Sequence, residues 1–231
     1  MRSVKAIFIK QAKDTLKNRM VLMQFIIFPV IAFIMTEVVA KPADDITDSI
    51  FVTMFAAMFA GMTPLMMINA AIAEDREHKS LRFLVMAGVK PYEYLLGLGG
   101  FVLVICSLVS VVFGLIGGFG GVEFIKFVLV LILGSAASVV LGASIGMVSK
   151  NQQAATATGT PIFMILAFSP MLSNFNDTIK NMTFILYTQQ VNMLVNDFGI
   201  SITQPLLIIM ANIAVLFVVF VLIYKKKGLR A

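Results

Sequence analysis

Apolar residues fill six long stretches of the chain, and charges and turn-forming residues gather between them. The stretches run from about Met20 to Val39, Ser49 to Ala73, Tyr94 to Phe119 and Phe124 to Val148, then from the end of the SKNQQ loop to Leu172, and from Pro205 to Tyr224. A helix needs about 20 predominantly apolar residues to cross the hydrocarbon core, so the pattern predicts an all-α polytopic membrane protein with six transmembrane helices. Ahead of them, residues 1–19 place Val4, Ile7, Phe8 and Leu16 near one helical face, with Lys5, Lys10, Lys13, Lys17 and Arg19 around the rest. That is the pattern of an amphipathic helix lying in the interface, its basic side chains near anionic headgroups of the membrane lipids. Two units follow: an interface helix over 1–19 and a six-span domain over 20–231.

Polar and helix-bending positions interrupt the spans in an ordered way. Pro29 sits in span 1, and Gly61, Thr63, Pro64 and Asn69 break the surface of span 2. Each proline removes one helix hydrogen bond. In span 4, Gly134, Ser138, Gly142 and Gly146 recur every four residues, a stripe that lets another helix approach closely. GLIGGFGG, Gly114 to Gly121, reads as a flexible or tightly packed turn, and KPADDITD, Lys41 to Asp48, as a short acidic loop. Ser173 to Gln204 reads as an external polar-to-amphipathic segment. Gln24, Asn69, Thr156, Thr158, Thr160 and Asn212 are the neutral polar groups within spans, the kind that form interhelical hydrogen bonds.

Composition agrees: of 231 residues, 59% are hydrophobic and 13% charged, with a mean hydropathy of +0.96. Soluble domains carry about a quarter charged residues, so no sizeable soluble domain is expected. The net charge of +6 does not point to nucleic acid, because the bases flank apolar runs. Fifteen of the 18 Lys and Arg fall before span 1, between spans 2 and 3, between spans 4 and 5, and after span 6. Lys41, Lys126 and Lys180 are left for the alternate loops, which hold seven of the 12 acids. The positive-inside rule then puts both termini in the cytoplasm, with Tyr92, Tyr94 and Tyr224 at the cytoplasmic interface. No cleavable signal peptide is expected, because the basic N-terminal segment lacks an apolar core with a small-residue cleavage site. The single Cys106 lies in an apolar run and has no intrachain partner for a disulfide.

The inventory for chemistry is thin. His78 is the one histidine; beside Glu74 and Glu77 it superficially resembles a metalloprotease motif, yet HExxH is absent and a metal site wants several ligands. Neither a catalytic nor a metal site is expected, and an intramembrane hydrolase would require His78. Glu37 and Glu123, the acids nearest the spans, fall at outer ends and read as interfacial or as part of an outer gate. No GxxxxGK[ST] phosphate loop occurs, so the chain binds no cofactor of its own and any energy for work comes from another chain. Sixteen Met, 20 Phe and no Trp read as ordinary packing, though flexible Met and aromatic faces also suit an apolar or amphipathic cargo. Asn176-Asp177-Thr178 and Asn181-Met182-Thr183 match glycosylation acceptors, with no sign of a eukaryotic secretory context.

The most informative stretch is the mixed-charge insert between spans 2 and 3, residues 74–93. Glu74, Asp75, Arg76 and Glu77 are followed by Lys79-Ser80-Leu81, by Phe83-Leu84-Val85 after Arg82, and by Val89-Lys90-Pro91-Tyr92-Glu93 leading into span 3. That order and spacing resemble the membrane permease of type-2 ATP-binding-cassette transporters, the ABC-2 family. Asn151-Gln152-Gln153-Ala154-Ala155 opening span 5 and the external segment before span 6 extend the resemblance over nearly the whole chain. Lys79-Ser80 departs from a common Gly-Thr, and Ser169-Pro170 from a Ser-Gly-x-x-x-Pro step. The resemblance implies a bacterial plasma-membrane exporter subunit that pairs with a second copy or a sister permease. It also implies a docked cytoplasmic ABC ATPase, which binds the ATP and Mg. The 74–93 segment would supply the coupling helix, with Leu81, Phe83, Leu84 and Val85 as apolar knobs and Glu74, Asp75, Arg76, Glu77, Lys79, Arg82 and Pro91 around them. A cargo path or gate is expected along spans 1, 2 and 5, at Pro29, Met62, Pro64, Met66, Thr160, Phe163 and Phe168. The expected cargo is amphipathic or hydrophobic: a peptide, antimicrobial or lipid-linked molecule. An ATP-independent immunity or sensor protein is the rival reading.

Overall fold

The computed structural model describes residues 2–42 and 47–227; the acidic positions 43–46 and the C-terminal 228–231 lie outside the described residues. Ten α-helices follow in order: α1 Arg2–Lys17, α2 Arg19–Met35, α3 Ile50–Glu77, α4 Ser80–Met86, α5 Pro91–Ile116, α6 Gly121–Val148, α7 Gln152–Ser173, α8 Asp177–Met182, α9 Tyr187–Asn196 and α10 Thr203–Lys227. A π-helical turn, Thr36–Ala40, extends α2. Six of the helices (α2 with its π-turn, α3, α5, α6, α7 and α10) are long and apolar enough to cross a membrane. No strand occurs among the described residues. The six spans match those read from the pattern, except that α3 runs on to Glu77 and α5 starts at Pro91. Helical hydrogen bonding continues past the apolar run, so the charges of the insert sit on helix ends.

α3 is the centre, packed against α2, α5, α6, α7 and α9. It has no room to stand off from its neighbours. A Cβ added at Gly142 would meet the Leu65 backbone, and one at Gly146 would lie 2.8 Å from the Asn69 carbonyl oxygen. On the other side, a Cβ on Gly61 would stand 3.0 Å from the Leu166 oxygen of α7. The expected small-residue stripe is therefore the α6 face of the α3–α6 contact. Pro64 has no N–H for the Ala60 carbonyl, and Ser138 of α6 donates to that carbonyl instead, at 2.5 Å. Ser138 Oγ also lies 2.6 Å from the Tyr187 hydroxyl. The α5–α6 turn is packed: Gly118, at φ +66, lets the chain reverse, and Phe119 packs tilted against Phe127 and edge-on against Phe198.

Two elements differ from the sequence reading. In α1 the buried line is Ile7, Gln11 and Thr15, four residues apart, while Leu16 is exposed. α1 docks on α5, where a Cβ on Gly97 would stand 2.7 Å from that of Ile7. The second is α9, inside the segment read as external. Its residues from Tyr187 to Asn192 are all buried, and Tyr187 meets Ser138 in the middle of α6. Such a short helix at membrane depth is tolerated because protein, not lipid, surrounds its backbone.

If the α3–α6 contact is closed at the backbone, Gly142→Ala loses about 1–3 kcal/mol by overpacking. Gly120→Ala, at an extended position with nothing within 4 Å, changes stability by less than about 0.5 kcal/mol. Thermal unfolding of the two variants in detergent gives the comparison; equal losses would mean α3 and α6 can separate.

Candidate functional site

Positive charge collects at the end of the bundle formed by α1, the α3–α4–α5 connection and the end of α10; this is the basic end. There the last turn of α3 carries Glu74, Asp75, Arg76 and Glu77, which together reach α1, α5, the end of α6 and the start of α7. Asp75 is buried; its Oδ1 accepts from Lys10 Nζ of α1 at 2.5 Å and its Oδ2 from the Tyr94 hydroxyl of α5 at 2.8 Å. Arg76 Nη1 donates to the Met147 and Ser149 carbonyls at 2.5 and 2.7 Å, where α6 ends and carbonyls lack helical partners. Glu77 Oε2 accepts the Gln152 backbone N–H at 3.2 Å, placing a carboxylate at the N-terminus of α7. Glu74 accepts from the Gln152 side chain at 2.9 Å. Asn151 caps the same helix end, its Oδ1 accepting from Ala154 N at 2.8 Å.

The four charges, all expected in the coupling segment, each have a partner within the chain. Sequence order alone does not reveal this, since the partners lie 65 to 78 residues away for Lys10, Met147, Ser149 and Gln152. Tyr94, read as an interfacial ring, is fully buried against Asp75 and Tyr224.

α4 then turns back across this end. The chain reverses through Lys79, a non-glycine residue at φ +59. At the far side, Gly88 (φ +80) closes α4, with Gly88 N–H donating to Val85 O and Val89 N–H to Leu84 O, the paired bonds of a Schellman cap. The Tyr224 hydroxyl holds the Val89 carbonyl at 3.0 Å. Pro91 opens α5, and Glu93 Oε2 accepts the Lys90 N–H at 3.0 Å. One face of α4 is internal, with Leu81 at 0% exposure and Leu84 and Val85 half-buried. Leu81 is thus an anchor of the fold and not a free knob. The opposite face presents Phe83 and Met86, 68% and 65% exposed, three residues apart on one side. Lys79 and Arg82 are exposed beside them.

Behind this end, α1, α2, α3 and α7 surround a cavity of about 240 Å³. Met66, Thr160 and Phe163 line it together with Lys10, Asp14, Asn69, Glu74 and Thr156. Asn69 donates to the Ala155 carbonyl at 2.7 Å, leaving its buried Oδ1 without a protein partner among the described residues. The other expected path residues are not brought here: Pro29 lies in a groove between α2 and α5, Met62 and Pro64 sit on α3 away from the cavity, and Phe168 is exposed on α7. No cluster of three or more His, Cys, Asp and Glu able to hold a metal ion occurs among the described residues, and His78 is exposed.

The family model described as an ABC-2 family transporter protein matches residues 4–224. The chain belongs to the ABC-2 transporter family. An ABC-2 protein of this kind is the membrane permease of an ABC transporter, generally not catalytic itself, and works with an ABC ATPase. No curated protein matches the chain. Within this ABC-2 permease, the acidic–basic–acidic run ties α1, α5, α6 and α7 to the end of α3, and α4 hangs from that tie.

Tyr94→Phe leaves Asp75 Oδ2 without its donor inside the fold, at a cost of about 1–3 kcal/mol. Asp75→Asn should in addition loosen α1, raising amide hydrogen exchange in residues 2–17 at least about tenfold while α6 is unchanged. Unchanged exchange in α1 would mean that Ile7 packing alone holds it.

Proposed function

We propose that the chain is one half of an exporter, paired in the membrane with a second copy or a sister permease, its basic end cytoplasmic and α4 seated in a groove of the ATPase. ATP and Mg are bound by that partner. The observation that carries this reading is α4 itself: a short helix anchored by Leu81 on one face and exposing a phenylalanine and a methionine on the other. An apolar pair of this size flanked by Lys79 and Arg82 suits a protein groove, the apolar residues supplying contact and the charges fixing orientation.

Movement of α4 passes to α3 through a two-residue connection, His78 and Lys79, and from α3 through Asp75, Arg76 and Glu77 to α1, α5, α6 and α7. The ATPase therefore pulls or pushes on helix ends already clamped together. For this to drive transport, it must bind two arrangements of the permease with different affinity. The cargo, an amphipathic or hydrophobic peptide, antimicrobial or lipid-linked molecule, moves along α2, α3 and α7. Met66, Thr160 and Phe163 line its entry, and Pro29, Met62, Pro64 and Phe168 serve bending or lipid-facing roles. The protein sits in a bacterial plasma membrane, in contact with its lipids.

The test is co-purification of an ABC ATPase when the tagged chain is expressed together with its neighbouring genes. Phe83→Asp with Met86→Asp should cut the ATPase recovered at least about tenfold while leaving the melting temperature within a few degrees, since both positions are exposed. Leu81→Asp should lose on the order of 4 kcal/mol of stability, because it buries a carboxylate. ATPase recovered undiminished with the double variant would remove α4 as the docking element.

A further inference from the structure

At the end of the bundle opposite α4, the start of α6, the end of α9 and the start of α10 leave a narrow groove of about 200 Å³ between them. Sites that bury a whole drug-sized ligand run to about 300–1,000 Å³, so this groove admits a slender chain and not a folded molecule. On α6 its wall is Lys126, Leu129, Val130 and Leu133, at i, i+3, i+4 and i+7 on one helical face. Leu194 of α9, Phe198, Ile202 and Leu206 of α10 complete an apolar lining. Both α6 and α10 are long and apolar enough to cross a membrane, and Leu129 is exposed, so the groove opens toward lipid. Two charges stand at its edge, Lys126 and Asp197. Lys126 is half-buried, about 7 Å along the axis of α6 from its first residue. Its Nζ donates to the Phe198 carbonyl at 3.4 Å, a long bond, and it forms no ion pair among the described residues. An ammonium carries three donors, so most of its capacity remains. Glu123, three residues earlier on α6, does not line the groove. Asp197 Oδ1 accepts from Gly199 N at 2.8 Å, and this carboxylate also has no ion-pair partner among the described residues. A base and an acid at one edge that do not pair with each other, over an apolar groove, complement a headgroup carrying both signs.

We propose that this groove binds one phospholipid of the phosphatidylethanolamine class, its phosphate on Lys126 Nζ, its ammonium facing Asp197 and one acyl chain between α6 and α10. A purely anionic headgroup would meet Asp197 as a like charge, and a choline headgroup has no N–H to donate to it. α10 is the least buried of the six spans, so a lipid lodged beside it adds contact where the protein supplies little. The site requires a membrane-spanning chain but neither the ATPase nor a cargo, so it stands or falls apart from the transport reading.

The chain has no tryptophan, so a single introduced one reports only on its own surroundings. Leu206→Trp and Leu129→Trp place reporters at the groove, and Leu207→Trp, exposed on α10, reports bulk lipid at a similar depth. Each full-length variant is reconstituted in phosphatidylcholine nanodiscs holding a rising share of phosphatidylethanolamine or phosphatidylglycerol with brominated acyl chains, which quench tryptophan on contact. At the two groove reporters we expect half-maximal quenching at a share of brominated phosphatidylethanolamine at least about tenfold lower than at Leu207→Trp, a difference of about 1.4 kcal/mol. Phosphatidylglycerol should show no such gain. Adding Lys126→Gln should abolish the gain and Lys126→Arg should keep it, with the melting temperature within a few degrees of the parent. Asp197→Asn, which keeps an acceptor for Gly199 N, should bring phosphatidylethanolamine down to the level of phosphatidylglycerol. Matching curves at the groove and at Leu207→Trp, selection of phosphatidylglycerol, or indifference to Lys126→Gln overturns the proposal. So does a groove that no brominated lipid reaches, since another chain would then cover it.

Discussion

The arrangement depends on how closely α3 lies against α6 and α7. Where Gly142, Gly146 and Gly61 stand, no space remains for even a methyl group without displacing backbone. In a bilayer, where lipid is as apolar as leucine, such backbone-level contact is what holds helices together. It also lets a side chain repair a broken backbone: Pro64 frees the Ala60 carbonyl, and Ser138 is near enough to bond it only because α6 sits so close. Burial of α3 along most of its length follows from this.

At the basic end the same closeness changes what charged residues do. On an exposed loop, Glu-Asp-Arg-Glu would be a solvated run worth little energetically. Here it crowns a buried helix, and its members reach the two unsatisfied helix termini beside it, Arg76 at the carbonyl end of α6 and Glu77 at the N–H end of α7. Opposite charges on adjacent residues suit opposite helix ends. The alternation of sign in the run matches neighbours that run antiparallel. That leaves α4, with its exposed Phe83 and Met86, as the part of the insert open to another chain.

This division explains what was legible in the sequence. The six spans were, because each is a long apolar run and lipid penalises anything else; the stripe Gly134, Ser138, Gly142 and Gly146 was, because its period is that of a helix face. The insert was singled out by residue order, and the short helix α4 lies within it. Burial of Asp75, Tyr94 and Leu81 was not legible, because it comes from contacts with α1, α5 and α10 that no local pattern records. Leu16 misled for a related reason: the face of α1 that packs holds Ile7 and Phe8 but continues through the polar Gln11 and Thr15, which hydrophobicity alone does not pick out. Burial of α9 was not legible because its Thr-Gln-Gln run is polar. Only a three-dimensional environment shows that these groups are walled in by α3, α6, α7 and α10. The signal available was the run itself, polar residues with aromatic and aliphatic neighbours in a segment too short to span.

The cavity behind the basic end and a second, bounded by α2, α3, α7, α8 and α9 at the opposite end, lie along one groove of α3, a seam between α2 on one side and α7 on the other. Between them the seam is closed by Phe25 and Phe28 of α2 against Phe59 of α3, and by the approach of Gly61 to Leu166. Of these contacts, the one with α7 is fixed at the backbone, as is that of α3 with α6. The contact with α2 is made by ring edges and by one long hydrogen bond, Thr63 Oγ1 to the Gln24 carbonyl at 3.4 Å. α2 also carries the backbone features of a helix able to change shape, Pro29 within it and a π-helical turn at its end. If a passage opens along this seam, the helix that moves is therefore α2, swinging away from an α3–α6–α7 block that stays together. Pro29 then matters through the backbone bond it removes, although its ring faces the groove toward α5 and not the seam itself.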